Sequence, residues 1–277
     1  MPTLAQALLQ AKADGLDRLD AQLLLLHALG RSADSRAWLL SHDADALPEP
    51  HLAEFESLLR RRVAGEPLAY LTGHKEFFGL DLLVDARVLV PRPDTETLVE
   101  WALDVLPPKS RLSEPLDALD LGTGSGAIAL ALKAARPTLR VTAIDCSEEA
   151  LTVACENARR LQLDVRFQQG SWLEGATHRY HAIVSNPPYI AAHDRHLKAL
   201  EYEPMQALAS GPEGLDDIRR IVDQAPTRLQ PDGWLLLEHG YDQAARVRQL
   251  LRAAGFVEVQ SRCDLGGIER CSGGRAR

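Results

Sequence analysis

Between Leu116 and Cys263 short apolar runs alternate with stretches of helical spacing, and this alternation restricts the fold more than any other feature of the chain. The apolar runs are "LDALDLG", "RVTAID", "VRFQQ", "YHAIVS", "GWLLLEH" and "FVEVQSRC". Helical spacing fills the intervals up to Arg136, over Glu148–Leu161, near Leu215–Leu229 and over Tyr241–Ala254. Strands that each return through a helix run in one direction. The pattern therefore predicts an α/β domain with a mostly parallel sheet covered by helices on both faces.

Upstream the periodicity changes. Leu4/Leu8, the run "DAQLLLLHALG" closed by Gly30, Trp38/Leu39 and Leu52/Phe55/Leu59/Val63 closed by Gly65 read as a small helical bundle. In "KEFFGLDLLVDARVLV" Gly79 divides two short runs of aromatic and aliphatic residues, which predicts a β-hairpin and then an extended stretch to Pro91. "PRPDTETLVEWALDVL" reads as a helix capped by Asp94 or Thr95, with Leu98, Trp101, Ala102 and Val105 facing inward, and Pro107–Pro115 breaks the pattern. The expected division is a helical domain over 1–73, a hairpin linker over 74–91 and the α/β domain over 92–277.

Charge and cysteine usage exclude several classes. The net charge of −8 gives no general attraction to a phosphate backbone, and the only arginine triplet, Arg60 to Arg62, reads as a solvated helix face. Stable nucleic-acid binding is not expected. Cys146, Cys155, Cys263 and Cys271 form no C-x-x-C pair, which fits a reducing compartment. With no leader-like start and no apolar run of about 20 residues, a cytoplasmic protein without membrane association is expected. His178/His181 and His193/His196 have the spacing of paired ligands, but no nearby cysteine or acidic cluster completes a site, so no metal is expected.

"DLGTGSGAIAL" follows the first strand of the α/β domain and opens a helix, so Gly122, Gly124 and Gly126 lie where a ligand can approach bare backbone and a helix N-terminus. The next strand ends at Asp145, in the position from which a carboxylate accepts hydrogen bonds from ribose hydroxyls in such folds. A nucleoside site follows. Gly122-x-Gly124-x-x-Ala127 also satisfies the dinucleotide pattern, which keeps a dehydrogenase open, although nothing downstream resembles a hydride-transfer site.

"SNPPYI" sits at the end of the fourth strand, facing the same crevice. Two prolines remove two N–H donors and hold Asn186 extended, leaving a stiff segment rich in acceptors. The Asn186 side-chain oxygen and the Pro187 carbonyl can each accept one N–H of a planar amide or exocyclic amine, turning its nitrogen toward an electrophile. Tyr189 can stack over the planar group.

"DLGTGSGAIAL" with "NPPY" resembles the class I S-adenosylmethionine-dependent methyltransferases that act on amino groups of planar systems. The chain as a whole is similar to the HemK-type release-factor glutamine methyltransferases, through "EPLAYLTG" (Glu66–Gly73), "PRPDTETLVEWAL" (Pro91–Leu103), "YEPMQAL" (Tyr202–Leu208), "GPEGLD" (Gly211–Asp216) and "LEHGYDQ" (Leu237–Gln243). The resemblance implies a Rossmann-like methyltransferase domain that converts S-adenosylmethionine to S-adenosylhomocysteine. It implies cofactor contacts from Gly122, Thr123, Gly124, Ser125, Gly126, Asp145, Trp172 and Asn186, and substrate contacts from Asn186, Pro187, Pro188 and Tyr189, with Asn186, Pro187 and Tyr189 carrying the chemistry. The implied substrate is the glutamine of the Gly-Gly-Gln loop of class-1 release factors, with the N-terminal bundle aiding its recognition; a monomer is expected. The same acceptors would serve an adenine-N6 or guanine-N2 nucleic-acid methyltransferase, against which the charge argues. Cys146 and Glu149 in "DCSEEAL" and the tail "GGIERCSGGRAR" depart from the family's usual pattern.

Overall fold

The computed structural model describes residues 1–107, 115–176 and 178–277, so the break expected over 107–115 lies almost wholly outside the described residues. The chain forms two compact units, Met1–His74 and Lys75–Arg277.

The first unit holds helices α1 (Leu4–Ala13), α2 (Arg18–Ala28), α3 (Arg36–Ser41), α4 (Glu49–Val63) and α5 (Leu68–Thr72). Thr3 and Gln6 close α1 with a reciprocal capping box, and Asp17 caps α2 through the Leu19 N–H at 2.8 Å. Leu24, Leu25 and Leu26 are all buried, because α2 lies at the centre and is enclosed on more than one face. The arginine triplet is divided: Arg61 pairs with Glu66 at 2.6 Å and Arg62 with Asp20 at 2.7 Å, while Arg60 is exposed.

From the last residue of the first unit onward the chain forms the hairpin β1 (His74–Phe77) and β2 (Leu80–Leu83), which belongs to the second unit from Lys75. Phe78 and Gly79 both have positive φ, 51° and 76°, as a two-residue turn between right-twisted strands requires. Expected as a linker, the hairpin buries Phe77 and Leu82 in the same core as the sheet. The fully buried Asn157 ties its end down: the Asn157 Oδ1 accepts from the Leu83 N–H at 2.7 Å, and its Nδ2 donates to the carbonyls of Leu83 and Ser125 at 3.0 Å.

After α6 (Glu96–Val105) come β3 (Asp117–Leu121), α7 (Ala127–Ala135), β4 (Arg140–Asp145), α8 (Glu148–Leu161), β5 (Arg166–Gln169), β6 (Tyr180–Ser185), α9 (Asp216–Gln224), β7 (Leu229–Glu238), α10 (Ala244–Ala253), β8 (Val257–Cys263) and β9 (Glu269–Arg275). The seven-stranded sheet has the order β5-β4-β3-β6-β7-β9-β8; β5 to β7 are parallel, and β9 is antiparallel to both of its neighbours. Strand residues alternate between two cores: Ala118 faces the one that holds α6 and α7, while Leu119 and Leu121 face the one that holds α9 and α10. Burial on both faces explains why the strands read as continuous apolar runs.

Three details differ from the sequence reading. The tail that departs from the family's pattern contains β9, a strand its residues do not predict, inserted between β7 and β8 with Cys271 and Ser272 fully buried. The last helical stretches are shorter than their periodicity suggests, since α9 ends at Gln224 and α10 begins at Ala244. Thr95 stands at the start of α6 without a capping hydrogen bond, because its hydroxyl is engaged elsewhere.

Candidate functional site

The order of the parallel strands reverses between β3 and β6, and a crevice opens there beyond their carboxyl ends, where ligands bind in open α/β sheets. A cleft of about 240 Å³ is lined by Gly122, Gly124, Asp145, Cys146, Trp172, Asn186, Pro188, Asp217 and neighbouring residues. Sequence positions from four strand ends thus meet in one place.

The glycine turn is held from both sides. Gly122 and Thr123 donate their N–H groups to the Ile144 carbonyl at 2.8 and 3.1 Å, and Gly122, Gly124 and Gly126 have φ of 70°, 55° and 86°. A Cβ on Gly122 would stand 3.4 Å from the Trp172 ring and narrow the cleft. Thr123, Ser125 and Gly126 do not line the cleft. Thr123 is buried and donates to Asp120, the Ser125 carbonyl accepts from Asn157, and Gly126 lies against Leu130 and Ala154. Together they shape the turn.

Asp145 at the end of β4 both lines the cleft and braces it. Its Oδ2 accepts from the Gly124 N–H at 2.8 Å and its Oδ1 from the Ser147 N–H at 2.9 Å. Each oxygen keeps a second acceptor site for a ligand hydroxyl. Cys146 beside it has its thiol pKa raised by burial and by the Asp145 charge. Trp172, with φ of 51°, donates from Nε1 to the Asp217 Oδ1 at 3.2 Å, and the other Asp217 oxygen accepts from the Ser210 hydroxyl at 2.7 Å. The indole is fixed as a wall.

On the opposite side Asn186 donates from Nδ2 to the Thr95 Oγ1 at 3.2 Å. That contact commits the nitrogen end of the amide and leaves Oδ1 as the end able to accept from a ligand. Pro188 lines the cleft, whereas Pro187 is buried outside its lining. Tyr189 is likewise outside the lining: it packs against the second core, and its hydroxyl donates to the Glu238 Oε1 at 3.3 Å. The Tyr189 carbonyl accepts from the Gln243 Nε2 at 3.0 Å and runs so close to Gly214, whose φ is 70°, that a Cβ there would collide with it. Glu203 accepts from the Val90 N–H at 3.1 Å and pairs with Arg92 at 2.5 Å, pinning the strand-like segment before α6.

The sequence does not single out Asp120, Asp217, Glu203, Glu238 or Gln243, and it offers Thr95 only as a helix cap. Asp120 is the acidic residue two positions before Gly122, and its position was the available signal. It is fully buried: its Oδ2 accepts from Thr123 at 2.6 Å and from the Ala129 N–H at 3.2 Å, while its Oδ1 has no hydrogen-bond partner among the described residues. The four histidines weighed as metal ligands do not assemble, and among the described residues no group of three or more His, Cys, Asp or Glu is placed to hold a metal ion. Among the described residues no helix is long and apolar enough to cross a membrane.

Burial raises Asp120 and Glu238 to pKa values of about 7 each. The folded chain therefore holds more protons than the unfolded chain from the ordinary carboxylate range up to that value. The stability these groups contribute is complete below their unfolded pKa values and is lost as the pH rises through about 7. His239, pushed down by burial, works in the opposite sense in the lower part of that window. Glu238→Gln separates the contributions. Its unfolding free energy from urea titration should fall less than that of the parent between about pH 5 and 8, the difference reaching on the order of 2 kcal/mol. Parallel curves would remove Glu238 from the linkage.

Known proteins give a consistent comparison. The family described as the PrmC N-terminal domain matches residues 3–73, and the methyltransferase small domain family matches residues 103–211. A Bordetella pertussis protein named release factor glutamine methyltransferase is 51% identical over 264 residues, covering 94% of this chain and 95% of that protein. A Burkholderia pseudomallei protein of the same name is 48% identical over 285 residues, covering 99% and 97%. Among solved structures, a methyltransferase from Pyrococcus furiosus shares the fold with a TM-score of 0.55 at 19% identity, covering 79% of this chain and 98% of that one.

Proposed function

The chain belongs to the release factor glutamine methyltransferases, and from that membership and the cleft we propose that it methylates the side-chain nitrogen of the glutamine in the Gly-Gly-Gln loop of class-1 release factors, using S-adenosylmethionine. The observation that carries this reading is the Asn186 amide, anchored through its nitrogen to Thr95 on the wall opposite the glycine turn. A site that recognises a donated N–H needs an oxygen there.

The residues fit the cofactor. Bare backbone at Gly122 and Gly124, the Asp145 carboxylate and the Trp172 indole line the cleft, and the buried Asp120 Oδ1 is an acceptor without a hydrogen-bond partner among the described residues. Gly122 and Gly124 would admit the ligand close to the backbone, Asp145 would accept from ribose hydroxyls, and Trp172 would face the adenine. When bound, S-adenosylmethionine supplies an electrophilic methyl group for direct displacement.

An amide nitrogen is a poor nucleophile because its lone pair is conjugated with the carbonyl. The Asn186 Oδ1 and the Pro187 carbonyl would each accept one of its N–H groups, orient the nitrogen and stabilise the positive charge it gains. The excess proton leaves after transfer. Tyr189, held by Glu238 and Gln243, supports the wall from behind rather than from within the lining.

The test is transfer of label from radiolabelled cofactor to purified release factor, with RNA and DNA offered in parallel. Label in nucleic acid alone would replace this reading with an adenine-N6 or guanine-N2 activity. We assign substrate recognition to the N-terminal unit. A chain lacking residues 1–73 is expected to keep cofactor affinity, measured by calorimetry, and to lose most of its rate on intact release factor. A full rate would remove that role.

A further inference from the structure

A continuous run of hydrogen bonds leads from α10 to the backbone of Tyr189. Arg248 on α10 donates from Nη1 to the Ser261 hydroxyl on β8 and, at 2.7 Å, to the Glu269 Oε1. The Ser261 and Ser272 hydroxyl oxygens are 2.7 Å apart, and Ser272 on β9 stands 2.8 Å from the Nε2 of His239, the residue after β7. The His239 Nδ1 lies 2.9 Å from the Gly240 carbonyl. Gly240 in turn donates its N–H to the Gln243 Oε1 at 2.8 Å, and the Gln243 Nε2 donates to the carbonyls of Tyr189 at 3.0 Å and Gly214 at 3.3 Å. His239 and Ser272 are fully buried, and neither lines the cleft.

The chemistry of the two ends sets the direction of every link. A carbonyl only accepts, so His239 carries a proton on Nδ1; a guanidinium only donates, so Ser261 accepts from Arg248 and has its own proton for Ser272. Ser272 then accepts from Ser261 and donates to a bare Nε2. Both ends agree on one arrangement, a neutral imidazole with its proton on Nδ1. Burial favours that neutral form, and so do the Arg248 and Arg270 charges, while the Gly240 carbonyl and Glu269 favour the charged one.

We propose that His239 is a positioning residue: held by Ser272 as the Nδ1–H tautomer, it fixes Gly240, and through Gly240 and Gln243 it fixes the Tyr189 carbonyl and with it the Asn186-Pro187-Pro188 segment that would receive the substrate amide. The inference rests on the glutamine-methylating reading above. Gly240 orients the Gln243 side chain, because an oxygen spent on the Gly240 N–H leaves the nitrogen end for the two carbonyls. The two prolines restrict the backbone between Asn186 and Tyr189, so a shift at the Tyr189 carbonyl is carried back to Asn186 instead of being absorbed on the way. A small displacement of a group that orients a nucleophile is costly in rate.

The experiment compares the parent enzyme with H239N, H239Q, H239A, Q243A and the H239A/Q243A double variant. An asparagine amide nitrogen reaches the place of Nδ1 and still donates to Gly240, whereas a glutamine amide reaches the place of Nε2 and does not. Rates on release factor are measured at saturating cofactor, and S-adenosylhomocysteine affinity by calorimetry. H239A and H239Q are expected to lose about tenfold in kcat, with KM and cofactor affinity within about twofold of the parent, and H239N to stay within about threefold in kcat. A packing role alone would follow side-chain volume and put H239Q nearest the parent. Q243A should lose at least as much as H239A, and the double variant no more than Q243A, since both cut one path. H239N as slow as H239A, or losses that multiply in the double variant, overturn the proposal. Long-range proton–nitrogen correlation spectra of the parent, with the His239 signals assigned by their absence in H239N, should show Nδ1 protonated and Nε2 bare near neutral pH; a proton on Nε2 overturns the proposal. Should H239A or H239Q fail to fold, that spectrum and Q243A decide, a parental kcat in Q243A overturning it. A parent that transfers no methyl group to release factor removes the functional reading and the proposal with it. A parent that does so beside unchanged H239A and Q243A removes the proposal alone.

Discussion

Asn186→Ala is expected to lower turnover on release factor by roughly 10²–10³-fold while leaving cofactor affinity within a few-fold of the parent. The side chain spends its nitrogen on Thr95 and leaves its oxygen able to accept from a ligand, so alanine removes the acceptor that orients the nucleophile and little of the surface that would hold the nucleoside. Rates at saturating cofactor and calorimetry with S-adenosylhomocysteine separate the two effects. Asn186→Asp is the sharper comparison, since it keeps an acceptor oxygen of nearly the same shape while adding charge and losing the donor to Thr95. Activity retained in the aspartate variant and absent in alanine would isolate the acceptor role. The same geometry predicts rejection of a release factor whose loop glutamine is replaced by glutamate, because a carboxylate has no N–H to give and leaves the acceptors facing an anion. A parental rate for Asn186→Ala would end the reading.

Asp145→Ala is expected to weaken cofactor binding by at least about 1.5–3 kcal/mol, the value of one charged acceptor lost from a ribose site. The loss should lie toward the upper end or beyond it. Asp145 also accepts from the Gly124 and Ser147 N–H groups, so alanine loosens the turn that admits the ligand as well as removing a contact to it. Asp145→Asn retains one acceptor oxygen and should fall between parent and alanine. Calorimetry gives the affinities, and an unfolding free energy from urea titration lower by about 1 kcal/mol for the alanine variant without ligand would report the bracing role. Unchanged affinity would take Asp145 out of the site.

The alternation of apolar runs with helical spacing was enough to anticipate β3 to β8 and the faces they bury, because a strand covered on both sides carries its burial in its own residues. Gly122 and Asn186-Pro187-Pro188 were legible for a similar reason: positive φ, missing N–H groups and restricted backbone are properties of single residues and their neighbours. β9 was not. "ERCSGGR" contains no branched or aromatic residue, and it is a strand because β7 and β8 pair with it on either side. Its glycine at 273 has Leu235, Leu236 and Trp101 against the place of a Cβ, a constraint imposed entirely by packing.

The groups behind the cleft divide in the same way. Thr95 looked like a helix cap from its position before "ETLVEWAL", and locally that was the best use of its hydroxyl. The fold brings Asn186 to it from 91 residues away, and that hydroxyl accepts from Asn186 in place of a cap. Glu203 reaches Arg92 across 111 positions, and Glu238 reaches Tyr189 across 49, with no periodicity linking the partners. By itself the sequence determined which residues could be chemically useful, since side-chain functional groups and backbone restrictions are local. Only the tertiary structure decided which end of the Asn186 amide is taken by Thr95 and which carboxyls are buried enough to hold a proton near neutrality, since hydrogen-bond direction and desolvation depend on groups that meet only when the sheet is assembled.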